Sequence, residues 1–158
     1  MAPRNATRSR PNNAIAMLHA DHHKVRQLFR AYRTTQEQAT QWELALHIFD
    51  ELEVHAQLEA VVFSQAVEEE TTSLGKRLVQ ASLEEHQEAL ALIQDLRGMV
   101  PGSPAFENKL QVLVLIVEHH MTEEETVMFP LAEAEVAEDL TDLRDEMLHL
   151  KAHLLASS

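Results

Sequence analysis

The 158-residue sequence has no cysteine, three glycines, five prolines and an aromatic content of only 4%. Without cysteine there can be no disulfide scaffold, thiolate zinc site, iron–sulfur cluster or cysteine nucleophile. So few turn-forming and aromatic residues starve β-structure, which excludes sandwiches, barrels and Rossmann-type sheets. No run approaches the ~18 consecutive apolar residues that a membrane span needs. Basic side chains are also scarce: 13 Lys and Arg face 26 Asp and Glu, for a net charge of −13. That balance works against binding a nucleic-acid backbone or an anionic membrane. Arg4, Arg8 and Arg10 near the start have no apolar stretch behind them, so the segment does not read as a secretory signal. The expectation is a disordered tail over residues 1–11 and one domain over 12–158, in a cytoplasmic protein that is monomeric or weakly self-associating.

What the sequence does have is Ala, Leu, Glu, Gln and ten histidines, a mix that favours helices. Asn12 and Asn13 offer an N-cap for a first helix reaching about Arg33. A second helix is expected over about 40–68, with a junction at 68–72, and a third ends near Gly98. Residues 98–104 are the clearest loop, and Ser103 followed by Pro104 is a cap and first-turn proline for a fourth helix. Pro130 is expected to kink that helix or end it. A shorter fifth helix covers about 139–155. Four long helices with short links predict an all-α, antiparallel up-and-down bundle.

Residues spaced three and four apart should face the bundle core. These seams read Ile15, Leu18, His22, Val25, Phe29, Tyr32 on the first helix and Ile48, Leu52, His55, Glu59, Val62, Ala66 on the second. On the third they read Val79, Leu83, His86, Leu90, Ile93, and on the fourth Phe106, Leu110, Leu113, Val117, His120, Glu124, Val127, Leu131. Every helix puts one histidine into an apolar stripe, and two add a glutamate four residues on. Each histidine lies near its helix midpoint, so with a rise of ~1.5 Å per residue all four fall at one depth. A lone buried histidine is ordinarily a hydrogen-bonded core residue, but four imidazoles and two carboxylates carry a large desolvation cost unless something satisfies them. The pairs His55/Glu59 and His120/Glu124 project from one face a turn apart. Six N and O donors without sulfur suit two iron ions, or manganese, better than a structural zinc. With both glutamates bridging, each metal gains about four protein ligands, leaving room for a bridging oxygen and an exogenous ligand. His23, His119, Glu123 and Glu125, one residue off the seam, are expected to point sideways or outward. Asp21, Glu85 and Glu118 are candidate partners for the ligands or plain surface acids. His19, His47, His149 and His153 read as solvated, and Tyr32 as core packing.

At these residues the chain resembles the hemerythrin-like HHE cation-binding family. The matching segments are Leu18-His-Ala-Asp-His22, Glu51-Leu-Glu-Val-His55-Ala-Gln-Leu-Glu59, Glu84-Glu-His86 and His119-His-Met-Thr-Glu-Glu-Glu-Thr-Val-Met-Phe-Pro130. The resemblance covers roughly residues 12–155. It implies a four-helix bundle with a non-haem di-iron centre held by His22, His55, Glu59, His86, His120 and Glu124, the glutamates bridging. Oxygen-carrying hemerythrins have a second histidine on the third helix, where this chain has Leu90, implying a more open centre. The second segment continues into Phe63-Ser-Gln instead of the family's usual aromatic and proline. A ferritin-like centre would need Glu-x-x-His, but Leu52, Leu83 and Val117 stand three before the histidines.

The expected function is binding or sensing of a small molecule (oxygen, nitric oxide or peroxide) at the open centre. The alternatives are an enzyme that decomposes peroxide or reduces nitric oxide, or iron storage, delivery and iron–sulfur repair by analogy with the family. No catalytic residue beyond the metal centre is expected. No regulatory or electron-donor domain can be read in the sequence, so reduction would need an external donor, whereas peroxide disproportionation would not. Leu18, Val25, Leu52, Val62, Leu90 and Val127 are expected to limit solvent access.

Overall fold

The computed structural model describes residues 13–70 and 72–156, so the expected tail over 1–11 lies outside them. The described residues form five helices and no strand: α1 (Ala14–Thr34), α2 (residues 38–70), α3 (Ser73–Arg97), α4 (residues 104–135) and α5 (Leu140–Ala156). The capping chemistry acts where the sequence places it. The Asn13 side chain accepts from the Ala16 N–H and caps α1, and Ser103 accepts from Phe106 N–H ahead of Pro104 on α4. Gly102 takes φ +78 in the loop between α3 and α4, a conformation glycine adopts without a Cβ penalty.

α1 packs antiparallel against α2, and α3 against α4, while α5 lies against α1. The core has two apolar halves. One gathers Leu18, Leu58, Phe63, Phe129 and Met147 at one end of the bundle; the other gathers Val25, Phe29, Phe49, Ile93, Phe106 and Leu113 at the opposite end. The buried polar groups His22, His55, Glu59, His86, His120 and Glu124 occupy the layer between them. No helix among the described residues is long and apolar enough to cross a membrane.

Two features depart from the expected seams, for one reason. Residues Glu59–Phe63 of α2 and Glu124–Met128 of α4 each form a π-helical turn. In each, the glutamate carbonyl accepts from the N–H five residues on, Ser64 for Glu59 and Phe129 for Glu124. A π turn holds one extra residue, so the buried stripe moves on by one. Past Glu124 it runs through Met128 and Ala132 instead of the expected Val127 and Leu131, and Val127 is 44% exposed. Past Glu59 the expected Val62 stays buried, but Phe63 and Val67 join it and Ala66 is left half-buried. Pro130 falls inside α4, which continues to Glu135. Proline has no N–H to donate, and the register change just before it accommodates that loss.

Candidate metal centre

The six residues picked out by the seams meet in the middle of the bundle. α1 supplies His22, α2 supplies His55 and Glu59, α3 supplies His86, and α4 supplies His120 and Glu124. All six are buried, Glu59 completely. Each histidine turns its Nε2 inward. Nε2 of His55 lies 2.9 Å from Glu59 Oε2, and Nε2 of His86 lies 3.0 Å from Glu59 Oε1. Nε2 of His22 and of His120 stand 3.3 and 2.9 Å from the same oxygen, Glu124 Oε1. The Nε2 atoms of His86 and His120 face each other at 2.9 Å. Two overlapping groups of donors result: His22, His55, Glu59 and Glu124 in one, and Glu59, His86 and His120 in the other, each with its donor atoms within 4.8 Å of one another. Glu59 belongs to both groups, and Glu124 reaches histidines of both.

Three of the four outward Nδ1 atoms have carboxylate partners, and that of His86 has none. Nδ1 of His55 is 3.2 Å from Asp21, Nδ1 of His120 is 3.3 Å from Glu85, and Nδ1 of His22 is 3.1 Å from Glu125. Glu125 in turn accepts from both terminal nitrogens of Arg26, at 2.6 and 3.2 Å. Carboxylate contacts of this kind favour the tautomer whose other nitrogen is free to ligate. Asp21 and Glu85 thus take the part the sequence allowed them, whereas Glu118 pairs with Arg26 at 3.2 Å. Glu125 is a correction: it turns toward the centre instead of away. Its neighbour Glu124 opens a π turn, so helical spacing misjudges the side-chain directions that follow, and no signal in the sequence pairs Arg26 with it. His23, His119 and Glu123 are exposed as expected, as are His19, His47, His149 and His153. The Tyr32 hydroxyl donates to Glu107 at 2.6 Å, far from the centre in sequence and chemistry.

The buried imidazoles and carboxylates of this layer shift one another's pKa values. Burial alone would depress the His55 and His120 pKa values. The carboxylates of Asp21 and Glu59 beside His55, and those of Glu124 and Glu59 beside His120, outweigh it and raise them to about 10 and about 11. Burial and the neighbouring charge of His55 push His22 down to about 4. Burial and the charge of Glu59 lift the Glu124 carboxyl well above its usual range, while Glu59, surrounded by imidazoles, stays well below. Burial together with the charge of Glu123 raises Glu85, against the pull of His120.

The donors themselves supply a test of whether cations fit. His22 Nε2, His55 Nε2, Glu59 Oε2 and both oxygens of Glu124 are buried and make no hydrogen bond, although they crowd to about 3 Å. They converge on points between them instead of on one another. Octahedral metal–ligand bonds of about 2.1 Å put neighbouring donors about 3 Å apart, close to the 2.9 Å between His86 and His120. Left unpaired, such groups each cost about 1–3 kcal/mol. Shared carboxylates between two imidazole pairs are therefore suited to a metal centre. Beside them a cavity of about 30 Å³ is lined by all four histidines together with apolar residues that include Val25, Leu52, Leu90 and Ile93. Leu18, Val62 and Val127, also expected to limit access, are not part of this wall.

Comparison with known proteins agrees with this geometry. The model of the Hemerythrin HHE cation binding domain matches residues 13–132, and again residues 84–155. A protein described as a DNA nickase from Nostoc sp. strain PCC 7120 is 24% identical over 130 residues, covering 82% of this chain and 36% of its own length. The chain thus spans about a third of that relative. No solved structure matches.

Proposed function

Because the chain belongs to the hemerythrin HHE cation-binding family, we propose that its buried centre holds two iron ions and binds or senses a small redox-active molecule: oxygen, nitric oxide or peroxide. His22, His55, Glu59 and Glu124 would hold one ion, and His86 and His120 the other, with Glu59 shared. When bound, a pair of iron ions supplies electrons and an open coordination position. The chain's residues do the rest. Asp21, Glu85 and Glu125 hold three imidazoles with Nε2 inward. Glu59 and Glu124 tie the two halves of the donor set together. Val25, Leu52, Leu90 and Ile93 keep the adjoining cavity apolar, which favours a neutral diatomic over water.

The observation that carries this reading is the cavity: largely apolar and lined by all four histidines, it gives a small neutral molecule a place beside the donors. Leu90 supports it, since a turn on from His86 it lines that cavity where an oxygen carrier would have a further imidazole. Peroxide decomposition by the same centre is the second reading, supported by the same opening and by needing no outside reductant. DNA stays outside the proposal, because a net charge of −13 works against a phosphate backbone. The test is metal analysis of the purified chain with its visible spectrum after air, nitric oxide and peroxide. Two irons per chain and reversible bands with a diatomic are expected for the binder. Rapid gas release from peroxide would move the assignment to the enzyme, and a chain that holds no iron would end both readings.

A further inference from the structure

A third group of donors sits outside the centre, where α3 and α4 meet. Glu85, His119 and Glu123 place one donor atom each within 4.8 Å of one another; Glu85 is half-buried and the other two are exposed. Helical spacing alone makes His119 and Glu123 an ordinary surface pair, 3.5 Å apart. Glu85 makes the difference, because it comes from the other helix and also touches His120 Nδ1. Directly beside it a cleft of about 30 Å³ runs between α3 and α4, with Glu85 and Glu123 among its lining residues and Ser82, His120 and Glu124 deeper in. That volume holds a water molecule or a bare cation. Ser82 and Glu124 are almost completely buried, and both Glu124 oxygens lack a hydrogen bond.

The other two approaches through outer carboxylates are guarded by positive charge. Glu125, behind His22, is paired with Arg26, and Asp21, behind His55, has Lys151 at 3.8 Å. Among the described residues Glu85 has no such ion pair with Lys or Arg, and its neighbours are a second carboxylate and an imidazole. The carboxylates at two faces of the bundle are thus already paired with Lys or Arg, and the one at the third face is not. We propose that Glu85, His119 and Glu123 form a surface site that captures a divalent cation from solvent and passes it down the α3–α4 cleft to the buried centre. The proposal rests on the reading of that centre as a cation site. Its step is a change of ligands only: the cation leaves His119 and Glu123 and is taken over by Glu124 and His120, with no bond broken in the chain.

The experiment uses the full chain stripped of metal and rapidly mixed with Co²⁺, whose visible absorption in a nitrogen and oxygen site reports arrival at the centre. The variant His119→Ala/Glu123→Gln alters only exposed side chains, and Glu138→Gln serves as a control for surface charge. The double variant is expected to reach the wild-type endpoint of two Co²⁺ per chain at a rate roughly tenfold lower, the size of effect that charged funnels exert on capture. The control should load at the wild-type rate. Equal rates for the double variant and wild type would overturn the capture site and leave the centre standing, as would equal slowing by the control. A wild type that takes up no buried pair would overturn both.

Discussion

Glu59 is completely buried, and its two oxygens face imidazoles from three different helices. A carboxylate placed so can be neither solvated nor neutral at modest cost, and a cation resolves the conflict for every neighbour together. The consequence is a sharp division between adjacent side chains. His120→Ala or Glu124→Ala should reduce metal content severely, whereas His119→Ala, one residue away and exposed, should leave the equilibrium content nearly intact; elemental analysis of dialysed protein distinguishes them. Asp21→Asn keeps the shape beside His55 but weakens its hold on Nδ1. It should lower metal affinity by about 10–100-fold, measured by competition with a chelator. The six inward donors were legible in the sequence because their three-and-four spacing places them on apolar stripes at matching depth. Arg26 and Glu125 were not, because their pairing joins α1 to α4 across the bundle and leaves no periodic trace.

Helix ends and loops followed from Asn13, Ser103, Pro104 and the 98–104 stretch, since caps and helix breakers act locally. The two π turns did not, because nothing in the composition of Glu59–Phe63 or Glu124–Met128 marks an extra residue in the turn. Both open on a glutamate of the centre, and such insertions occur often at functional sites. They also explain why Val127 faces solvent while Met128 is buried. On α3 the contrast is simpler: a single imidazole, with Leu90 a turn away in the cavity wall. A Leu90→Phe chain should keep its metal while its nitric oxide response falls, because the larger ring occupies the space beside the histidines. Titration followed by absorbance checks this, and an unchanged response would place the ligand elsewhere.

The bundle as a whole has its apolar core divided by the polar layer, so the middle of each helix depends on what the layer holds. Stripping the cations removes a ligand that the folded chain alone can organise. At a hundredfold excess over the dissociation constant that loss is ~2.7 kcal/mol, equivalent to roughly 5–10 °C in melting temperature for a chain of this size. Calorimetry before and after chelation should show it, and coincident melting curves would argue against a buried site. The antiparallel all-α architecture could be read from composition and link lengths, because short links leave neighbouring helices little choice of direction.

The donors divide evenly along the chain: α1 and α2 contribute two imidazoles and one carboxylate, and α3 and α4 contribute the same. Each hairpin therefore carries half a coordination set that is incomplete without the other. Cut in the short link after α2 and produced as two polypeptides, the protein should reassemble from its halves, with the affinity of one fragment for the other rising when ferrous or cobaltous salt is added. Metal would then act as the clasp of a split protein.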